Sequence, residues 1–401
     1  MSKKNSQFNR LQIYLSAGSH FITDIYQSFI IGLIPVLTLK FGLSLFQVGL
    51  LTATGVIAKS FFSPIFGYLS DHQGIRYYLI AGLLLTSVFL SLIGILPNYY
   101  FLLAFLFLGN LGVAAYHPAS AAIAGHFGGN KKGLGSSIIS FGGIFGNSLG
   151  ALLIILVIEK LNIRFTPFTM IPGLITVIVL FKLIPRTQEN NTGNIKHLFS
   201  RIKKVNKEKW YRLFLIMLAT YSLNITWITL LTYMPLYYTA ANISLINIGV
   251  ILLFFGMLGA AGGLASGFIF DHYKKGSVII QTGLVLAIPL FFFTFKASGL
   301  ISIILFVLGG LFLVSIAPVC IRMTQDLMPG NMSLASSLIL GLGPGFAGMT
   351  MIFLGKAADI IGIEALVKYE LILIIFAVIL LFSFPLAERG LKIRKFSINK
   401  K

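Results

Sequence analysis

The chain is 401 residues long, 57% of them hydrophobic and 10% charged, with a formal net charge of +20 and one cysteine. A soluble protein carries roughly 25% charged residues and needs a polar shell around a core that stops growing near ~250–300 residues. The composition excludes a water-soluble globule, and Cys320 alone excludes both an intramolecular disulfide and a cysteine-built metal site.

At the N-terminus, Lys3, Lys4 and Arg10 resemble the basic start of a secretory signal. The apolar run from Leu11 lacks a small-residue cleavage site, so it is expected to remain as the first helix. Charge-poor apolar stretches occupy 11–37, 47–69, 77–96, 100–125, 133–157, 165–184, 212–238, 246–270, 277–295, 300–325, 333–357 and 365–386. Each is near the ~20 residues a helix needs to cross the hydrocarbon layer. They predict an all-α integral membrane protein of twelve transmembrane helices.

Connections are short except for 185–211, which contains Arg186, Lys196, Arg201, Lys203, Lys204, Lys207 and Lys209. This basic linker separates an N-terminal six-helix half (1–184) from a C-terminal six-helix half with a short basic tail (212–401). Within it Ile195, Leu198, Phe199, Ile202 and Val205 recur at helical spacing. A helix lying on an anionic leaflet and a solvated tether both fit that pattern.

Of the 31 Lys and Arg residues, 21 fall in the termini and loops on the side that holds both termini and the linker, four in loops on the other side, and six within spans, Lys59 and Lys182 among them. The positive-inside rule then places both termini in the cytoplasm of a multi-pass inner-membrane protein. The charge needs no nucleic acid to explain it, and the alternating bases and aromatics of a single-strand binder are absent.

The halves repeat. Gly67-Tyr-Leu-Ser-Asp71-His72 recurs as Gly267-Phe-Ile-Phe-Asp271-His272, and Leu134-Gly-Ser136-Ser137 recurs as Leu334-Ala-Ser336-Ser337, both at an offset of 200. Six spans separate the copies, so both point the same way, which gives halves related by an axis along the membrane normal.

The Gly67, Asp71, Gly74, Arg76 pattern resembles the signature of the major facilitator superfamily. Ser19-His20, Asp24 and Gln27-Ser28 in span 1, His117-Pro118 and Ser120 in span 4, Gly142-Gly143 through Gly150 in span 5, and Gln325-Asp326-Leu327 with Pro329-Gly330 resemble its fosmidomycin-resistance-like efflux branch. The resemblance covers nearly the whole chain. It implies the major facilitator fold, with spans 1, 4, 7 and 10 lining a central cavity. The branch often carries an acidic residue after the span 4 His-Pro and a basic one soon after, where this chain has Ala119 and Ala121-Ala122; Lys59 also stands where a small or polar residue is expected. A phosphonate substrate is therefore not carried over.

Asp24 is read as the only acidic residue deep inside a span, with Asp71, Asp271, Asp326 and Asp359 at span ends. A charge at a helix centre costs about 2.5–3.5 kcal/mol on insertion scales, so such groups normally face a cavity or a partner. Asp24 as proton carrier and Asp24 in a permanent buried pair with Lys59 are both open. His20, Asp24 and Gln27 share one stripe at i, i+4 and i+7, and a histidine there suits a proton relay or a satisfied core position. Pro118 should kink span 4 beside His117. Tyr116, His117, Asn224 and Trp227 are candidate cavity residues, with inter-helix glue the other reading for Tyr116, Asn224 and Trp227. Gly67, Asp71, Gly74 and Arg76, echoed by Gly267 and Asp271, are the candidate cytoplasmic gate.

Clustered carboxylates for membrane enzymology are absent, as is a phosphate-binding nucleotide loop, so neither an enzyme nor an ATP-driven pump is expected. The expectation is secondary active transport by alternating access: proton-coupled export of a small organic compound or drug, by a monomer with protons and lipid as partners, no cofactor and no metal ligands. Proton-coupled uptake of an organic anion, and a non-transporting receptor on the same scaffold, stay open.

Overall fold

The computed structural model describes residues 7–186, 207–273, 275–327 and 338–382, and among them there is no strand. The helices are α1 (Arg10–Phe41), α2 (Leu45–Gln73), α3 (Ile75–Leu92), α4 (Tyr99–Phe127), α5 (Lys132–Lys160), α6 (Met170–Leu183), α7 (Lys207–Ala240), α8 (Leu245–Tyr273), α9 (Gly276–Thr294), α10 (Gly299–Val314), α11 (Ile316–Leu327), α12 (Gly343–Ile361) and α13 (Ile363–Phe382). Helices α10 and α11 together make the tenth span, broken at Ser315 just before Pro318. Ten of the described helical segments are long and apolar enough to cross a membrane. Most of the linker and the start of the eleventh span lie outside the described residues, and with them Leu334, Ser336-Ser337 and Pro329-Gly330.

Local sequence sets the helix ends. Asn9 caps α1 by accepting from the Gln12 amide, and Gly42 stops it in the left-handed region at φ 60°. Ser44 and Gln47 then form a reciprocal capping box that starts α2. Helices α1 and α2 run up to four residues past their predicted ends because these caps, and not the last apolar residue, terminate the backbone ladder. The sixth span begins as a 3-10 turn, Ile163–Thr169, containing Pro167.

The described residues form two compact units. The first joins α1 to α6 with residues 228–257 and 348–363. Within it α1 lies along α5 so closely that Gly142, Gly146 and Gly150 abut the backbones of Ala17, Phe21 and Ile25, leaving no space for a Cβ. Association of helices in lipid rests on such van der Waals contact, since lipid tails are as apolar as the side chains. Gly82 on α3 and Gly112 on α4 likewise face each other's carbonyls. Phe141, Phe168, Phe181 and Leu39 are exposed on this unit, as lipid-facing side chains are.

The second unit holds residues 193–227, 258–347 and 364–401. In it Gly262 packs on the Leu311 carbonyl, Gly276 on Met323, and Ser266 bonds the Ser315 carbonyl freed by the break in the tenth span. The repeat extends to the kinks: Pro35 of α1 recurs as Pro235 of α7, and Pro118 of α4 as Pro318 of α11.

Candidate functional site

In the first unit one turn of α1 and the middle of α4, just before Pro118, converge on Asp24. His117 Nε2 lies 2.9 Å from Asp24 Oδ1, and His20 Nε2 lies 3.4 Å from Asp24 Oδ2. The two imidazole rings meet edge to face with centroids 5.0 Å apart. Both oxygens of the carboxylate thus face a ring nitrogen, and the three ligand atoms lie within 4.8 Å of one another. Side-chain exposure falls from 29% at His117 through 16% at His20 to 11% at Asp24, so the cluster opens past His117.

The tautomers follow from the partners. His20 Nδ1 sits 3.0 Å from the Ile139 carbonyl, which can only accept, so Nδ1 carries the hydrogen. In the neutral ring Nε2 then presents a lone pair to Asp24 Oδ2, two acceptors facing each other. That gap favours a cation. His117 can instead donate from Nε2 to Oδ1. On the far side, Gly143 leaves the room: a Cβ there would stand 2.6 Å from His20 Nε2 and 2.7 Å from Asp24 Oδ2.

Among the described residues no ion pair within 4 Å joins Lys59 of α2 to Asp24, so the direct pair considered from sequence is not formed, and the groups against the two carboxylate oxygens are His20 and His117. Tyr116 is wholly buried, with its hydroxyl 2.5 Å from Ser19 Oγ and donating to the Ser16 carbonyl at 3.3 Å. With Ser16 and Ser120 paired at 3.0 Å, it ties α4 to α1. Gln27, one turn further along α1, has a buried Oε1 that accepts no hydrogen bond among the described residues.

Of the gate candidates, Gly74 adopts φ 100° between α2 and α3, a conformation that favours glycine. Gly67 packs on the Pro118 ring, where an added Cβ would come within 3.3 Å. The Arg76 guanidinium donates to the Phe181 carbonyl and lies 4.9 Å over that ring, so it closes the C-terminal turn of α6. Asp71 is exposed at the end of α2. In the second unit Asp271 is exposed too, and a Cβ on Gly267 would meet nothing within 4 Å; there Gly263, one turn earlier, faces Pro318.

Asn224 and Trp227 belong to the second unit, both half-buried. Asn224 Nδ2 donates to the Thr220 carbonyl at 2.7 Å, and Gly343 packs against both Thr220 and Asn224. At the offset of 200 these are the counterparts of His20, Asp24 and Gly143, so the second repeat carries a neutral version of the cluster. Glu370 corrects the sequence reading. It lies seven residues into α13, about 10 Å at 1.5 Å per residue, and is only 2% exposed. Asp24 is therefore not the only deep carboxylate; measuring depth from the start of the last span would have found the second.

The described residues thus form a helical, multi-pass architecture with a polar cluster held inside its helices, the build of a membrane-embedded protein. Residues 17–343 match the pattern of the Major Facilitator Superfamily, and the chain belongs to that family. It is 26% identical over 359 residues to the Fosmidomycin resistance protein of Escherichia coli K12, covering 87% of each chain. It is 25% identical over 320 residues to the Sialic acid transporter NanX of the same organism, covering 78% of each. Among solved structures it superposes on a point mutant of the nucleoside transporter NupG with a TM-score of 0.75 at 14% identity, covering 94% of this chain and 100% of that one. A bacterial homolog of the human lysosomal transporter Spinster gives a TM-score of 0.73 at 15% identity, covering 94% and 96%. The fold is thus the twelve-helix major facilitator fold, and the chain is a secondary transporter of a small molecule, not an enzyme.

Proposed function

We propose that this transporter is a proton-coupled exporter of a small organic compound, with Asp24 and His20 as the proton site. The observation that supports this is the pair of facing acceptors, His20 Nε2 and Asp24 Oδ2 at 3.4 Å, which a single proton can bridge. Alternating access then works by rocking the repeats 1–184 and 212–401 about the linker 185–211, with the proton loaded in one state and released in the other. His117 passes the proton inward, and Lys59 is the third member of the proposed coupling set. Gln27, His117, Asn224 and Trp227 are the proposed cavity residues, with Tyr116 the inter-helix tie beside them, and Gln27 Oε1 is a buried acceptor suited to a donor on the cargo. Asp71 and Asp271, with their glycines and Arg76, act as the cytoplasmic gate. The chain works as a monomer in the inner membrane with both termini inside.

Likeness to the Fosmidomycin resistance protein favours export of a drug-like compound. Likeness to the Sialic acid transporter NanX, together with the half-buried cation of Lys59 on α2, favours a second reading, proton-coupled uptake of an organic anion. Proteoliposomes test the coupling. Asp24→Asn should abolish gradient-driven accumulation while leaving exchange intact, since a neutral amide mimics the protonated acid. Undiminished proton-driven accumulation by that variant would sink the assignment, and the sign of the pH gradient that drives flux separates export from uptake.

A further inference from the structure

We infer that His20, Asp24 and His117 form a binding site for a divalent transition-metal cation of the zinc class. The donor set is two imidazole nitrogens and a carboxylate, which suits zinc and its neighbours and not magnesium or calcium, whose sites are built from oxygen. Its members come from two elements fixed against each other. His20 and Asp24 share one turn of α1, and His117 sits beside the Pro118 kink of α4, held by the Tyr116–Ser19 and Ser120–Ser16 bonds.

The dimensions fit. Zinc-to-nitrogen and zinc-to-oxygen bonds of about 2.0–2.2 Å around a tetrahedron put donors roughly 3.3 Å apart. His117 Nε2 stands 2.9 Å from one oxygen of Asp24 and His20 Nε2 3.4 Å from the other, and with one donor atom per residue all three lie within 4.8 Å of one another, so small side-chain rotations close the set. Metal-binding histidines usually give their other ring hydrogen to a carbonyl or carboxylate, which aims the lone pair at the ion. His20 does this through Ile139. Three protein donors leave a fourth position for water or cargo, and the partial exposure of His117 supplies the way in. The site shares its residues with the proposed proton site but does not require that protons drive transport.

The test uses the full chain, purified in detergent with its affinity tag removed. Zn²⁺ is titrated calorimetrically, and Co²⁺ is followed by its visible absorption as a spectroscopic substitute. One Zn²⁺ should bind per chain in the micromolar range, while Mg²⁺ gives no saturable heat. His117→Gln and Asp24→Asn should each weaken binding by more than the ~10–100-fold that loss of an outer partner costs. His117→Gln removes the most exposed member, and circular dichroism with gel filtration confirms that it stays folded; the Co²⁺ band should vanish in it. No saturable binding up to millimolar Zn²⁺, or unchanged binding by both variants, overturns the site. Transport measured in chelator keeps the readings apart: gradient-driven flux without zinc binding refutes the metal site alone, and zinc binding with undiminished flux in Asp24→Asn refutes the proton site alone.

Discussion

Asp359 Oδ1 accepts from the Leu45 amide at 2.7 Å, and its Oδ2 accepts from Phe46 at 3.1 Å, so a carboxylate near the end of α12 closes the N-terminus of α2. Tyr233 adds a bond to the Leu45 carbonyl at 3.1 Å, and Gly49 and Gly355 let the helices meet beside it. Asp359→Ala should cost about 0.5–2 kcal/mol, as loss of an N-cap acceptor does. Asp359→Asn keeps an acceptor and should lose only the charge–dipole part, about 0.3–1 kcal/mol. Thermal unfolding in detergent should rank the three proteins in that order; equal midpoints would show that the contact contributes nothing.

Gly143 and Gly146 should respond differently to alanine. The methyl of Gly143→Ala meets the side chains of His20 and Asp24, which can turn aside, so the protein should fold while gradient-driven transport falls at least ~10-fold, or ~1.4 kcal/mol. The methyl of Gly146→Ala meets the Phe21 backbone, which cannot, and overpacking should cost about 1–3 kcal/mol of stability. Yield, thermal midpoint and transport rate of the two variants check the split.

Tyr116→Phe separates glue from cargo binding. Its hydroxyl is spent on Ser19 and Ser16, so its loss should cost about 0.5–1.5 kcal/mol of stability and leave the KM for cargo unchanged. A several-fold rise in KM at unaltered stability would move Tyr116 into the binding site.

Topology follows from the Lys and Arg skew. Lys131 is exposed between α4 and α5, and Asn242 sits at φ 58° in the turn between α7 and α8. In a Cys320→Ser background, Lys131→Cys should react only with reagents supplied on the cytoplasmic side and Asn242→Cys only from outside. Labelling of both from one side would refute the twelve-span orientation.

The span pattern is legible in the sequence because ~20 apolar residues in a row leave the backbone few choices in lipid. The Gly142, Gly146, Gly150 spacing also announces a close helix contact, though not that α1 supplies the opposing backbone. The partner of Asp24 is not legible. His20 shares its helix and can be placed by counting, whereas His117 is 93 residues away and reaches Asp24 only through the register of α4 on α1. Lys59 looks the better partner by charge alone, and depth along separate helices cannot reveal that both carboxylate oxygens are already taken. Glu370 is legible: it is the eighth residue of a 20-residue helix, and counting inward from the start of the last span places it at depth.

The glycine seam between α1 and α5 also works as insulation. Where Gly142, Gly146 and Gly150 abut the α1 backbone no space remains for a water file, so one flank of α1 is dry along about two turns. If Asp24 is the proposed proton site, its approach is from the α4 flank, where the more exposed imidazole of His117 stands. The seam thus turns a carboxylate with two neighbours into a terminus with one doorway, which makes traffic to it sensitive to whatever lodges at His117.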